Sequence, residues 1–125
     1  MNGLIGFIVL SMIFCHIIAD YNLQGWLATA KQKVWWQTNA SSERYKYDYI
    51  MALLMHSFGW TFLVMLPIAL YFNFIITPMF IVMFLINIVL HAYIDNLKAN
   101  RYCINLVVDQ ILHLVQIAAT ALLVL

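Results

Sequence analysis

The sequence has 125 residues, enough for one domain, and 66% of them are hydrophobic while only 9% are charged. A soluble domain is nearer half apolar and a quarter charged, so this composition excludes a water-exposed globular surface. The net charge is +1, and there is no basic stripe, zinc-finger spacing or phosphate-binding glycine loop, so no nucleic-acid partner is predicted.

Four apolar runs have the length of about 20 residues that a membrane-spanning helix needs. They cover about residues 3–22, 49–72, 78–97 and 103–125. The first run lacks a basic start and continues into Asp20 without a small-residue cleavage site, which is not typical of a cleavable signal peptide. The predicted fold is therefore all-α, a four-helix transmembrane bundle forming one integral membrane domain over residues 1–125, with the lipid bilayer as its partner. The oligomeric state is not indicated.

The connection between the first two runs is polar, and its stretch Trp26–Trp36 mixes tryptophans with lysines. This mixture predicts an amphipathic segment that lies in the headgroup region of the membrane. Ser41 or Ser42 is the expected N-cap of the helical segment that follows. Cys15 and Cys103 have no motif spacing, so both are expected to be small packing residues.

All six lysines and arginines lie in or beside the first and third connections. The positive-inside rule therefore predicts that these two connections face the cytoplasm and that both termini face the opposite compartment. Lys31, Lys98 and Arg101 are candidates for binding an anionic headgroup or a phosphoester, with anchoring at the membrane surface as the alternative. Gln24 is a further substrate-binding candidate, with interhelical hydrogen bonding as the alternative.

Ionisable residues gather near the helix ends that adjoin those two basic connections. The set contains all four histidines and three of the five acidic residues of the chain: His16, Asp20, His56, His91, Asp95, Asp109 and His113. Three helices each carry a histidine and an aspartate four residues apart, which places the two side chains on one helix face. At about 1.5 Å per residue, all seven groups are expected at one depth in the membrane.

An aspartate in the bilayer costs about 2.5–3.5 kcal/mol, so these groups are expected to face the bundle interior, to pair, or to bind a cation. Any one His–Asp pair is explained by a hydrogen bond without a metal. The whole set forms a nitrogen and oxygen ligand shell that suits one or two divalent ions, zinc first and manganese or iron next. All seven residues are candidate ligands, and His56 and Asp109 are also candidate catalytic residues; the pattern leaves open which of them bind metal and which act as base.

The motifs His16-x-x-x-Asp20-Tyr21-x-Leu23-Gln24, His91-x-x-x-Asp95-x-x-Lys98 and Asp109-Gln110-x-x-His113 occur in this order, with His56 between the first two. The combination resembles a family of small bacterial and phage membrane proteins described as a domain of unknown function. The resemblance covers almost the whole chain and implies a bacterial or phage inner-membrane protein without bringing an activity. A weaker likeness to inner-membrane metal-dependent hydrolases, which also carry histidine and aspartate on membrane helices, implies metal hydrolysis.

The leading functional hypothesis is a metal-dependent membrane hydrolase that acts from the cytoplasmic side on a phosphoester or lipid-linked substrate. A metal or proton transporter also uses histidine and aspartate, but its path should continue through the other half of the membrane, where only amides and hydroxyls are present. A haem bound by two histidines leaves the three aspartates unexplained. A non-enzymatic phage or host interaction protein would use the set as a structural metal or polar site, and turnover separates it from the hydrolase.

Overall fold

The computed structural model describes residues 3–125, and the described residues form helices and connections without any β-strand. Helix α1 (Gly3–Ile17) continues directly into a π-helix (Ile18–Leu23), and the two together make the first membrane-length segment. The other long helices are α4 (Asp48–Tyr71), α5 (Pro78–Ala99) and α6 (Leu106–Val124). Four helical segments are therefore long and apolar enough to cross a membrane, which confirms the predicted all-α bundle.

The first connection is itself partly helical. Two short helices, α2 (Leu27–Ala30) and α3 (Lys33–Asn39), are followed by a 3₁₀ turn (Glu43–Tyr45) that leads into α4. The ring of Trp36 stacks on that of Tyr45 and its indole N–H donates to the Ala30 carbonyl at 2.7 Å. These contacts fold the predicted amphipathic segment back on itself.

Polar caps explain where several helical segments begin. Ser42 Oγ accepts from the Arg44 amide at 3.4 Å, so Ser42 is the residue of the predicted pair that caps, and it caps the 3₁₀ turn. Asn105 Oδ1 accepts from the Val108 amide at 2.9 Å, and α6 therefore begins three residues later than the apolar run indicates. Cys103 lies in the connection before this cap and is exposed, so its prediction as a packing residue was wrong.

Helix α4 is the central helix, since it packs against α1, α5 and α6. In the part of the bundle away from the basic connections, its residues Val64 and Ile68 join Ile8, Met12 and Ile117 in a buried apolar core. Large apolar side chains also cover the outside of every long helix. An apolar exterior of this kind suits a lipid environment, where no aqueous surface has to be maintained.

The four histidines lie at one depth in this bundle. Each is seven or eight residues, about 11 Å, from the end of its membrane segment that adjoins the first or third connection. Histidines near the ends of the first and third segments contact histidines near the starts of the second and fourth, so consecutive segments run in opposite directions. The predicted polar layer is therefore present.

Candidate metal centre

Three buried side chains from three helical segments place their ligand atoms around one point. The Nε2 atoms of His56 and His91 are 3.2 Å apart, and Asp20 Oδ1 lies 3.3 Å from the former and 3.7 Å from the latter. Ligand atoms bound to zinc at 2.0–2.1 Å in a tetrahedron lie about 3.4 Å from each other. This group, the first triad, therefore has the spacing of three ligands of one ion.

A second group of potential ligands shares one histidine with the first. The second triad consists of His91, Asp95 and His113, whose ligand atoms lie within 4.8 Å of one another. Its two carboxylate contacts are 3.9 Å from Asp95 Oδ1 to His91 Nε2 and 3.3 Å to His113 Nε2. The carboxylates of both triads face Nε2 of His91, and the single lone pair of that nitrogen can bind only one ion.

The ring of His16 is held by two hydrogen bonds. Its Nδ1 accepts from the indole N–H of Trp60 at 2.8 Å, and its Nε2 lies 3.0 Å from Gln110 Oε1. Since Trp60 can only donate and Gln110 Oε1 can only accept, the pair of contacts assigns a neutral imidazole with its proton on Nε2. His16 belongs to neither triad, and the geometry gives its predicted ligation no support.

Gln110 connects this ring to two of the carboxylates. Its Nε2 donates to Asp20 Oδ2 at 3.2 Å and to Asp109 Oδ2 at 3.0 Å. One amide thus links the π-helix to α6 and leaves Asp20 Oδ1 directed at the first triad. An outer hydrogen bond that fixes a ligating carboxylate in this way is a common feature of metal sites.

Two lysines neutralise part of the negative charge. Lys31 Nζ lies 2.6 Å from Asp95 Oδ2, and Lys98 Nζ lies 2.5 Å from Asp109 Oδ2. Lys31 is only 7% exposed, although the sequence places it in a polar connection. The seven ionisable residues, Lys31 and Lys98 together form one cluster. Counted with neutral imidazoles, its three carboxylates and two ammonium groups give a formal net charge of −1.

The π-helix and the turn after it bring Lys31 into the cluster. The π-helix widens the end of the first segment at Asp20, and π-helical turns of this kind are frequent at functional sites. Gly25 then adopts φ of +49°, a left-handed conformation that costs glycine little. α2 consequently turns back toward α4, and Gln24 Oε1 accepts from Lys31 Nζ at 2.9 Å.

Asp109 and His113 leave polar atoms unsatisfied. Their Oδ1 and Nε2 atoms are 3.5 Å apart, and neither atom has a hydrogen-bond partner among residues 3–125. His91 Nδ1 is likewise buried without a partner in that range. Unpaired buried polar atoms are costly, so their concentration here marks a place where a ligand, a proton or water completes the site. Asp109 lies outside both triads, and its predicted ligation also receives no support from the geometry.

A second polar network lies next to the cluster on the side of the apolar core. Asn87 Nδ2 donates to Thr120 Oγ1 at 2.9 Å, and Gln116 Nε2 donates to Asn87 Oδ1 at 2.9 Å. His113 Nδ1 lies 3.5 Å from Gln116 Oε1, which connects this network to the cluster. These contacts hold α5 against α6 at the depth just beyond the histidines.

The groove that leads to the site does not open toward Lys98. A groove of about 280 Å³ reaches His56 and Gln24 from the outside of the bundle. Its other walls are mainly apolar, among them Leu23, Leu27 and Phe58, and Lys98 is not part of its lining. The groove that reaches the histidines therefore opens sideways, on the membrane-facing surface.

Among the other candidates, Arg101 is exposed, and none of its side-chain atoms contacts the cluster by a hydrogen bond or ion pair in the described chain. Trp60 is the main residue that the pattern did not single out. It is 1% exposed, stacks on His91 with ring centroids 4.2 Å apart and holds His16. The available signal was its position four residues after His56, on the same face of α4.

Comparison of the chain with protein-family models, curated proteins and solved structures finds no match. The resemblance carried by the His-x-x-x-Asp and Asp-Gln-x-x-His motifs therefore stays a prediction.

Proposed function

We propose that this protein is a metal-dependent membrane hydrolase with one divalent ion bound by Asp20, His56 and His91. The observation that carries the proposal is the 3.2–3.7 Å spacing of the three ligand atoms of the first triad. Catalytic zinc sites usually have three protein ligands and leave the fourth position to water or substrate. A structural site would instead be closed by a fourth protein ligand.

The charge of the cluster supports one ion and not two. A single divalent ion changes the net charge from −1 to +1, and a bound hydroxide then brings it to zero. Two divalent ions would leave +3 in a buried region where uncompensated charge is costly. The shared position of His91 in both triads supports the same count.

The bound metal would supply the activated water, and the surrounding residues would handle its proton. Asp95 Oδ2 lies 3.4 Å from His56 Nε2, next to the proposed metal position, and is therefore placed to accept that proton. Asp95 Oδ1 is 3.3 Å from His113 Nε2, which is 3.5 Å from Asp109 Oδ1. Asp109 pairs with the partly exposed Lys98, so this chain of groups leads from the site toward the bundle surface. Asp109 therefore stays a candidate catalytic residue, as a member of this chain of proton-transfer groups.

The proposed substrate is a phosphoester or a lipid-linked ester that approaches from the side of the basic connections. Lys31 and Lys98, which pair with Asp95 and Asp109, stay the candidate substrate-binding cations, and Gln24 provides an amide at the groove. We place the protein in a bacterial inner membrane with the basic connections in the cytoplasm and both termini in the periplasm. The distribution of all six lysines and arginines supports this orientation.

The second polar network favours one other candidate, a proton or metal transporter. Polar contacts continue from His113 through Gln116 to Asn87 and Thr120. That half of the bundle also contains the apolar core around Ile68, which offers no polar group for a path. Uptake of protons or zinc by proteoliposomes, without hydrolysis, would favour transport over the hydrolase.

Metal analysis of the purified protein tests the site. We expect close to one zinc per chain in the wild type, and at least a tenfold lower occupancy in His56→Ala and His91→Ala at the same free zinc concentration. His16→Gln is the matched control, because an amide at position 16 can still contact Trp60 and Gln110, and it should retain metal. Equal occupancy in all variants would exclude the first triad as the site.

Turnover tests the hydrolase itself. Metal-loaded wild type should hydrolyse a phosphoester probe, and Asp95→Asn should retain metal while losing most of the activity. Bound metal without turnover on any phosphoester or lipid-linked ester would favour the interaction protein with a structural metal site. Activity that survives removal of the metal by a chelator would contradict the proposed mechanism.

A further inference from the structure

The groove that reaches His56 has two distinct parts. Gln24 and His56 form its polar end, and each is part of the cluster: His56 Nε2 lies 3.3 Å from Asp20 Oδ1, and Gln24 accepts from Lys31. The remainder is lined by apolar side chains of the π-helix, α2 and α4, including Leu27 and Leu63. The groove thus joins a polar end, next to the cluster, to an apolar channel on the lipid-facing surface.

Gly59 keeps the apolar part open. A Cβ atom at this position would meet no atom within 4 Å, so space is left in front of the glycine backbone on the exposed side of α4. The groove has a volume of about 280 Å³. This value lies at the lower limit of about 300 Å³ for small-molecule sites, so it suits a segment of one chain and not a whole lipid.

We propose that this groove binds one hydrocarbon chain of an anionic phospholipid, whose phosphoester head then lies at Gln24 and His56. The inference rests on the proposed function and names its substrate class. With one divalent ion bound and its water still protonated, the cluster carries a formal charge of +1, which complements an anionic head and not a zwitterionic one. The groove opens where the bilayer surrounds the bundle, so the lipid enters from within the membrane and does not have to leave it.

A second lateral groove provides a comparison. It has a volume of about 310 Å³ and is lined by α1 and α4 residues such as Phe7, Ser11 and Pro67, without any residue of the cluster. If lipid chains simply occupied every surface groove, both grooves would retain lipid to the same extent. Selective retention at the first groove therefore separates a site from ordinary lipid contact.

The test is lipid retention measured by native mass spectrometry on metal-loaded protein from mixed micelles. The probes are phosphatidylglycerol and phosphatidylcholine with the same chains, and glycerophosphoglycerol as the head without chains. Wild type should retain phosphatidylglycerol at least tenfold better than phosphatidylcholine. Gly59→Leu should reduce that retention at least tenfold with unchanged metal content, and Ser11→Leu, which fills the second groove, should leave it unchanged.

A second filling variant, Leu63→Trp, covers the case in which Gly59→Leu does not fold, and should have the same effect. Three results would overturn the inference. They are equal lipid retention in the wild type and the filling variants, equal retention of both lipids, and binding of glycerophosphoglycerol as strong as that of phosphatidylglycerol. The two proposals fail separately. Selective lipid retention without metal binding or hydrolysis would refute the hydrolase proposal and support the lipid site. Metal-dependent hydrolysis that is unaffected by filling the groove would refute only the lipid site.

Discussion

At the scale of the residue, the cluster assigns different roles to side chains of the same type. His56 and His91 have Nε2 atoms directed at a common point, while both nitrogens of His16 are engaged by Trp60 and Gln110. The difference is one of hydrogen bonding, since all three rings are buried. His16 is therefore a positioning residue that fixes Trp60 against His91.

Trp60→Phe tests this positioning contact. The change removes the indole N–H and leaves His16 Nδ1 as a buried acceptor without a donor, which costs about 1–3 kcal/mol of unfolding free energy. Chemical unfolding in detergent micelles measures the loss. Trp26→Phe is the control, because Trp26 is exposed and the change there should stay within about 0.5 kcal/mol. A loss at position 60 no larger than at position 26 would mean that the contact does not stabilise the fold.

Lys31→Met tests the ion pair with Asp95. Removal of one partner of a buried pair costs about 3–5 kcal/mol, because the other charge stays buried. The metal-free variant should therefore unfold at a lower denaturant concentration. The cluster charge also changes from −1 to −2, so added zinc should bind more tightly and restore more stability than in the wild type.

Two further variants serve as controls for Lys31→Met. Lys33→Met removes an exposed lysine and should leave both stability and zinc affinity unchanged. The double variant Lys31→Met with Asp95→Asn removes both charges and should be more stable without metal than Lys31→Met alone. Loss of stability in Lys33→Met equal to that in Lys31→Met would contradict the assignment of Lys31 to the buried cluster.

At the scale of the element, interhelical amides determine how α5 meets α6. Asn87 and Gln116 are 1% and 6% exposed, and their amides bond to each other across the two helices. Because both amides are buried and hydrogen-bonded across the interface, the pair specifies one relative rotation of the helices. That rotation also places His91 and His113 face to face, with ring centroids 4.2 Å apart.

A double-mutant cycle over this pair tests the effect. Asn87→Leu and Gln116→Leu should each cost about 0.5–1.5 kcal/mol, because each removes the buried amide–amide hydrogen bond. The double variant should cost less than the sum of the two, since the hydrogen bond that they share is lost only once. Thermal unfolding in detergent gives the values, and Asn22→Leu on the exposed face of the π-helix is the neutral control. Strict additivity would mean that the two amides do not act together.

At the scale of the whole molecule, the bundle is polar inside at one depth and apolar outside. The polar side is the side of the first and third connections, which carry the lysines and arginines. Orientation in the membrane therefore decides which compartment reaches the site. In the proposed orientation the four histidines lie about 11 Å from the cytoplasmic ends of the helices.

Reporter fusions test this orientation. Alkaline phosphatase, which is active only in the periplasm, should be active when fused after Leu125 or after Asn73. The same enzyme fused after Ser41 should be inactive, and a cytoplasmic fluorescent reporter should give the opposite pattern at the three positions. Activity of the phosphatase after Ser41 would reverse the orientation and place the cluster on the periplasmic side.

The sequence alone determined the four helical segments, because the length of an apolar run and the spacing of polar side chains on a helix are local properties. For the same reason the spacing of His91 and Asp95 predicted their common face, and the distances from the helix ends predicted one polar layer. The segment boundaries were reliable except at α6, where the capping side chain of Asn105 decided the start.

Only the tertiary structure decided which groups meet. The partner of His16 is 94 residues away in Gln110, and that of Lys31 is 64 residues away in Asp95. Such pairs depend on the rotation of each helix about its axis and on the turn at Gly25, neither of which follows from periodicity. The lateral groove arises in the same way, since its walls come from the π-helix, α2 and α4, which only the tertiary structure brings together.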